Sequence, residues 1–157
     1  MKTLFIIIAA FFLLCSTSIS GFYHSPKQDP VDPTGTYQLK GVKRNNRIYG
    51  HHGEIRIRMI DSSTVAVSFY ISKGYPGYQS GAFTETLHFE DNRIVYEPPG
   101  NTGCRICIRF FEETAVIEQW FTDPRSTCGF AEAVIASRTF QKVNNEEPLI
   151  QDLSGRN

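Results

Sequence analysis

The chain has 157 residues, 41% of them hydrophobic, and 16 Lys plus Arg balance 16 Asp plus Glu. With no summed positive field to draw in phosphate, non-specific nucleic-acid binding is excluded as the main activity. The length suits one domain with a real core and leaves no room for two of ordinary size.

Met1-Lys2-Thr3 carries one positive charge, and Leu4 to Leu14 is apolar without a break before Ser16-Thr17-Ser18. This is the layout of a signal peptide, and the run is too short to span a membrane, which takes about 20 residues. Small residues at Ser18 and Ser20 place cleavage before Gly21, so residues 1–20 are the export signal and the mature chain is expected to have no transmembrane segment. Loss of Lys2 leaves it about one charge negative. Cys15 raises the alternative of a lipoprotein, but the residue before a lipidated cysteine is normally small and here it is Leu14, so lipidation at Cys15 is not expected. Residues 21–33 are rich in proline and turn formers and read as an extended leader.

The domain is expected over 34–142. Gly35 to Lys40 opens it as a strand, and a long loop, Gly41 to Gly53, follows. Ile55, Ile57 and Met59 then alternate with Glu54, Arg56 and Arg58, and Val65, Val67, Phe69 and Ile71 alternate with Ala66, Ser68 and Tyr70. This period of two marks strands with one buried face. After a second long loop, Ser72 to Gly81, the pattern returns in Phe83, Leu87 and Phe89 and in Ile106, Ile108 and Phe110. Further strands are expected at Asn92–Tyr96, Thr114–Phe121 and Ala133–Lys142. Residues 143–157 lose the periodicity and read as a flexible tail.

The breaks at Asp61-Ser62-Ser63, Glu90-Asp91-Asn92, Glu112-Glu113 and Asp123 to Ser126 are turn sequences, and no amphipathic helical window lies between them. Hairpins follow, and parallel βαβ units are excluded. The expected fold is all-β: an antiparallel up-and-down barrel of about eight strands, with a β-sandwich as the alternative.

Glu85 lies in phase with Phe83, Leu87 and Phe89, which aims a carboxylate at the apolar side. Buried without a partner it costs several kcal/mol, roughly, so it needs a hydrogen bond or a wet cavity. The loop 72–81 offers Tyr75 and Tyr78 on a backbone shaped by Gly74, Pro76, Gly77 and Gly81, and tyrosines on such a loop suit sugar stacking or a protein partner. The loop 41–53 gathers Lys43, Arg44, Arg47, His51 and His52 with no acid among them, a local positive patch.

Three cysteines survive processing. Within a strand, Cys104 and Cys107 point to opposite faces and cannot bond to each other, which leaves Cys104 with Cys128 or Cys107 with Cys128. Export favours one such bond and one leftover thiol. Three cysteines with His24 or His88 would make up a zinc set around Cys104-x2-Cys107, but a lone C-x2-C inside a strand is a weak signal, export favours oxidised thiols, and adjacent His51 and His52 diverge in extended chain, so no metal is expected. No G-x-S-x-G, H-E-x-x-H, P-loop or dinucleotide fingerprint occurs, and no cofactor is expected. A Cys107–His88 thiol–imidazole pair is the one catalytic arrangement that spacing leaves open.

Cys104-Arg105-Ile106-Cys107-Ile108-Arg109-Phe110 and Cys128-Gly129-Phe130, with Gly35-Thr36-Tyr37 at the domain's start, resemble small exported bacterial β proteins of unassigned function. Those carry C-G-F-G and a glycine near the start of the last strand, where this chain has Ala131 and Arg138. The resemblance implies a Cys104–Cys128 disulfide and makes Cys107 an addition of this chain. In size, export and strand pattern the chain is also similar to calycin-like barrels, which include lipocalins, and to periplasmic lysozyme inhibitors. Gly35-Thr36-Tyr37 departs from the lipocalin G-x-W opening, and Tyr78-Gln79-Ser80-Gly81-Ala82-Phe83 only approaches the inhibitors' S-G-x-x-Y segment.

The sequence thus leads to an exported, non-enzymatic binding protein, periplasmic or secreted. It is expected to meet a macromolecule, protein or glycan, in an inhibitor-like manner through loops at one barrel end, with Tyr75, Tyr78, Arg44, Arg47 and His51 as contacts. The alternative is a small apolar or amphiphilic ligand held inside the barrel and anchored by Glu85. Bulky Phe69, Phe83, Phe89 and Phe110 tend to fill a small barrel, which favours the first.

Overall fold

The computed structural model describes residues 29–100, 103–123, 125–132 and 134–150. The export signal, Cys15 and His24 lie outside the described residues. Nine strands follow one another: β1 (Gly35–Leu39), β2 (Val42–Arg44), β3 (Arg47–Asp61), β4 (Thr64–Gly74), β5 (Ser80–Glu90), β6 (Arg93–Tyr96), β7 (Cys104–Phe110), β8 (Thr114–Phe121) and β9 (Thr139–Asn144). From β3 to β9 each strand pairs antiparallel with the next, and β1 pairs with both β9 and β3. That ring of eight strands is a closed up-and-down barrel, not the alternative sandwich. Strand β2 stands outside the ring as the second arm of a ribbon with β3.

Alternation aims one side of every ring strand inward. Tyr37, Ile55, Ile57, Val67, Phe69, Ile71, Ile94, Ile106, Ile108, Phe110, Ile117 and Phe140 are all but fully buried. Each such side chain contributes about 1.5–3 kcal/mol of apolar burial, so the filled interior is the main stabilising element. The rings interlock: Phe69 contacts Phe83, Phe130 and Phe140, and Phe83 stacks on Tyr96 with centroids 3.8 Å apart.

Two hairpins turn on left-handed residue pairs, Asn45-Asn46 (φ 47° and 59°) and Asp91-Asn92 (φ 49° and 57°). Positive φ at both central positions matches the twist of a two-residue hairpin, and Asn and Asp tolerate it.

Three boundaries differ from expectation. The segment 41–53 is a β-ribbon rather than a loop, because β3 runs on through Gly50, His51, His52 and Gly53 to Arg47. The loop 72–81 shrinks to 75–79. The last strand begins at Thr139 instead of Ala133 and reaches Asn144, since 122–138 folds over one end of the barrel, burying Cys128, Phe130, Val134 and Ala136.

That covering segment is tied down at several points. The Cys104–Cys128 disulfide, with Cα atoms 5.2 Å apart, fixes it to the start of β7. The Gln119 side chain accepts from Ala136 N at 2.6 Å and points its Nε2 at Cys128 Sγ, 2.9 Å away. The Phe130 ring lies against Gly81, where an added Cβ would fall on the ring itself. At the opposite end 29–34 is clasped to the barrel: Asn92 accepts from Val31 N and donates to Asp29 O, and Tyr37 donates its phenol proton to Pro33 O.

Candidate functional site

The connections from β1 to β3, β4 to β5, β6 to β7 and β8 to β9 all leave the barrel at the covered end, called here the upper end. The sequence-predicted contacts Tyr75, Tyr78, Arg44, Arg47 and His51 meet there, and Glu85 does not.

Glycine shapes the local geometry. Gly74, with φ 73°, lies so close to the β3 backbone that a Cβ would come within 2.6 Å of the Ile48 and Gly50 carbonyl oxygens. Tyr75 can therefore donate its N–H to Ile48 O at 2.7 Å and stand beside Tyr49 in an isolated bridge. Its ring lies 5.1 Å from that of Tyr49, the Arg47 guanidinium sits 4.4 Å above it, and Tyr78 meets it edge-on at 6.2 Å. Arg44 pairs with Arg47 across the ribbon tip. The cation–π contact is worth about 0.5–2 kcal/mol and holds the Tyr75 ring in place.

Tyr78 is 46% exposed and has φ 50°, with its N–H bonded to Gly74 O at 2.8 Å. The left-handed conformation costs a non-glycine residue about 1–2 kcal/mol.

His51 sits one step beyond the last β3–β4 pair, His52↔Ser72, which brings Lys73 beside it. From the chain leading into β9, Arg138 places Nη2 3.2 Å from His51 Nδ1. Burial, then the charges of Arg138, Lys73 and His52, push the imidazole below its ordinary pKa, so the ring is neutral at pH 7 and accepts from Arg138.

Glu85 keeps the inward phase but is exposed. The β5–β6 ladder is only two pairs long, Phe89↔Ile94 and Glu90↔Arg93, and above it the wall opens. There Glu85 faces water and, second to burial itself, raises the Tyr96 phenol pKa. It is not an anchor inside the packed core.

Cys107 is free and 5% exposed, on the outer side of β7, while Cys104 points inward to its disulfide. Burial pushes its pKa up, the reverse of what an activated thiol needs. His88 lies far out in solvent, with an ion-pair contact to Glu90 at 3.9 Å.

Sequence reasoning missed Tyr49, Lys73 and Arg138, as well as Trp120. Trp120, 46% exposed on β8, lines a cleft of about 610 Å³ with Glu97, Pro98, Gly103, Cys104, Arg105 and Thr122. Arg105 pairs with Trp120 across the strands and with Glu97 at 2.6 Å. The signal for Tyr49 was available, since it is two residues from Arg47 and so shares its face. No local signal marks Arg138, which is 87 residues from His51.

No family model matches the chain, and neither the curated proteins nor the solved structures contain a match.

Proposed function

We propose that this is an exported, non-enzymatic binding module that holds a macromolecular partner against the upper barrel end, with Tyr78 and Tyr75 as aromatic contacts and Arg44 and Arg47 beside them. The observation that carries this reading is Tyr78, kept exposed in a left-handed conformation and flanked by a ring that Arg47 braces. Rigid aromatic side chains give large contact area at small entropy cost, which is what a binding surface needs. The interior supports it too, being packed with Phe69, Phe83, Phe110 and Phe140. Export rests on the leader sequence and is favoured by the disulfide, since such bonds persist in oxidising compartments. An inhibitor-like role remains a reading by fold likeness to calycin-like barrels, and folds host many functions.

The test separates function from folding. Tyr78→Gly removes the ring and relieves the left-handed backbone, so stability should change by less than about 1 kcal/mol in a urea melt. Capture of the partner from the protein's own extracellular fluid should be abolished. Undiminished capture by this variant overturns the assignment.

A further inference from the structure

We propose that His51, Lys73 and Arg138 form a niche at the rim of the barrel that binds a carboxylate, presented by an acidic segment of the partner. The inference rests on the reading of the upper end as a binding surface and names the chemistry of what binds there.

Its parts come from three elements. His51 belongs to β3, Lys73 to the end of β4, and Arg138 to the chain entering β9. Arg138 Nη2 is 3.2 Å from His51 Nδ1 and 3.5 Å from Nε2, and its Nη1 donates to Ser137 O at 2.6 Å. Arg138 is part-buried there, and among the described residues neither Arg138 nor Lys73 makes an ion pair. The charged and titratable groups acting on His51 are Arg138, Lys73 and its neighbour His52, all basic. Glu54, three residues along β3, is engaged with Arg56 at 2.6 Å and Gln38 at 3.2 Å.

Cations gathered without an anion repel one another, and partial burial strengthens that repulsion. A carboxylate in the niche reverses the sign: it accepts from the planar guanidinium and from the Lys73 ammonium, and these charge-assisted bonds are the strong class. Arg44 and Arg47 extend the same sign along the ribbon, so an acidic chain seated on the niche passes the tyrosine cluster. Protonation of His51 adds a further donor, and carboxylate affinity therefore rises as pH falls through the His51 pKa.

The experiment follows the His51 ring signals of the full mature protein by NMR while acetate is added at constant ionic strength against sodium chloride. Acetate should saturate, raise the His51 pKa, and lose about tenfold or more in affinity in Arg138→Gln, as expected when one charge-assisted bond is removed. Lys73→Met is the second variant, should Arg138→Gln fail to fold, and should weaken acetate in the same direction. A glutamate-rich peptide distinguishes the sources: tighter binding than acetate, weakened by Tyr78→Gly, places the carboxylate on a chain, and equal binding makes it a free small acid. A His51 response that tracks ionic strength without saturating, or one unchanged in Arg138→Gln and Lys73→Met, overturns the niche. If that happens while Tyr78→Gly still abolishes capture, the binding surface stands and only the niche falls.

Discussion

His51 carries a pH signature whose sign is fixed by its surroundings. Burial and the charges of Arg138, Lys73 and His52 lower its pKa below the ordinary 6.5. Unfolded His51 therefore takes up a proton at higher pH than folded His51, and stability is lost as pH falls below about 6.5 until the folded ring also protonates. Urea midpoints between pH 7.5 and 5 should fall less steeply in His51→Gln than in the wild type, and parallel profiles would show that the imidazole is not held neutral. Cys107 gives a second residue-level expectation. Its burial on the outer face of β7 raises its pKa, so iodoacetamide should label it slowly at pH 7 in the folded protein. Rapid labelling would reopen the thiol chemistry that the buried position speaks against. Opposite faces for Cys104 and Cys107 were legible from strand alternation alone. The neighbours of Cys107 were not, because they come from β6 and β8.

Among the elements, those whose inward positions are apolar at every second residue were readable from the sequence, and the disagreements fall where another force overrides that spacing. Cys104–Phe110 forms as expected because Cys104, Ile106, Ile108 and Phe110 are all apolar and inward, and Thr114–Phe121 because Ala115 and Ile117 are. The first half of β3 carries no strand signal, because Gly50, His51, His52 and Gly53 supply no apolar alternation. It is a strand because pairing with β2, β4 and β1 satisfies its backbone. The apolar residues Val134 and Ala136 have the spacing of a strand, yet they cap the upper end. Apolar spacing alone cannot tell a strand from a covering segment anchored by side chains. That anchoring can be measured. Cys128→Ser frees the covering segment from β7, and with a sequence separation of 24 between the bonded cysteines the loss should be about 3 kcal/mol, read from urea melts. A loss below about 1 kcal/mol would mean that Gln119 and the Phe130–Gly81 packing hold the segment without the bond.

At the scale of the whole molecule, closure of the ring by β1 pairing with both β3 and β9 leaves few free edges: the short ribbon strand β2, and the upper part of β5 where its ladder with β6 stops at Phe89. The all-β barrel was legible because hairpin turns follow each periodic run. The site was legible only as a list of residue types, since Tyr75 and Tyr78 announce themselves in one loop, while folding brings Tyr49 to Tyr75 and Arg138 to His51. The outcome is a barrel with one decorated end: aromatic rings and basic groups above, the Asn92 clasp below. The central claim is that this upper end meets the partner, and site-specific photocrosslinking tests it most directly. Tyr78 and, separately, Ile60 at the lower end are exchanged for p-benzoylphenylalanine, and each protein is irradiated in its own extracellular fluid. Both positions are exposed, at 46% and 53%, so access alone does not separate them. The account predicts a discrete macromolecular adduct from position 78 and none from position 60. Adducts of equal yield from both, or from position 60 alone, would contradict it.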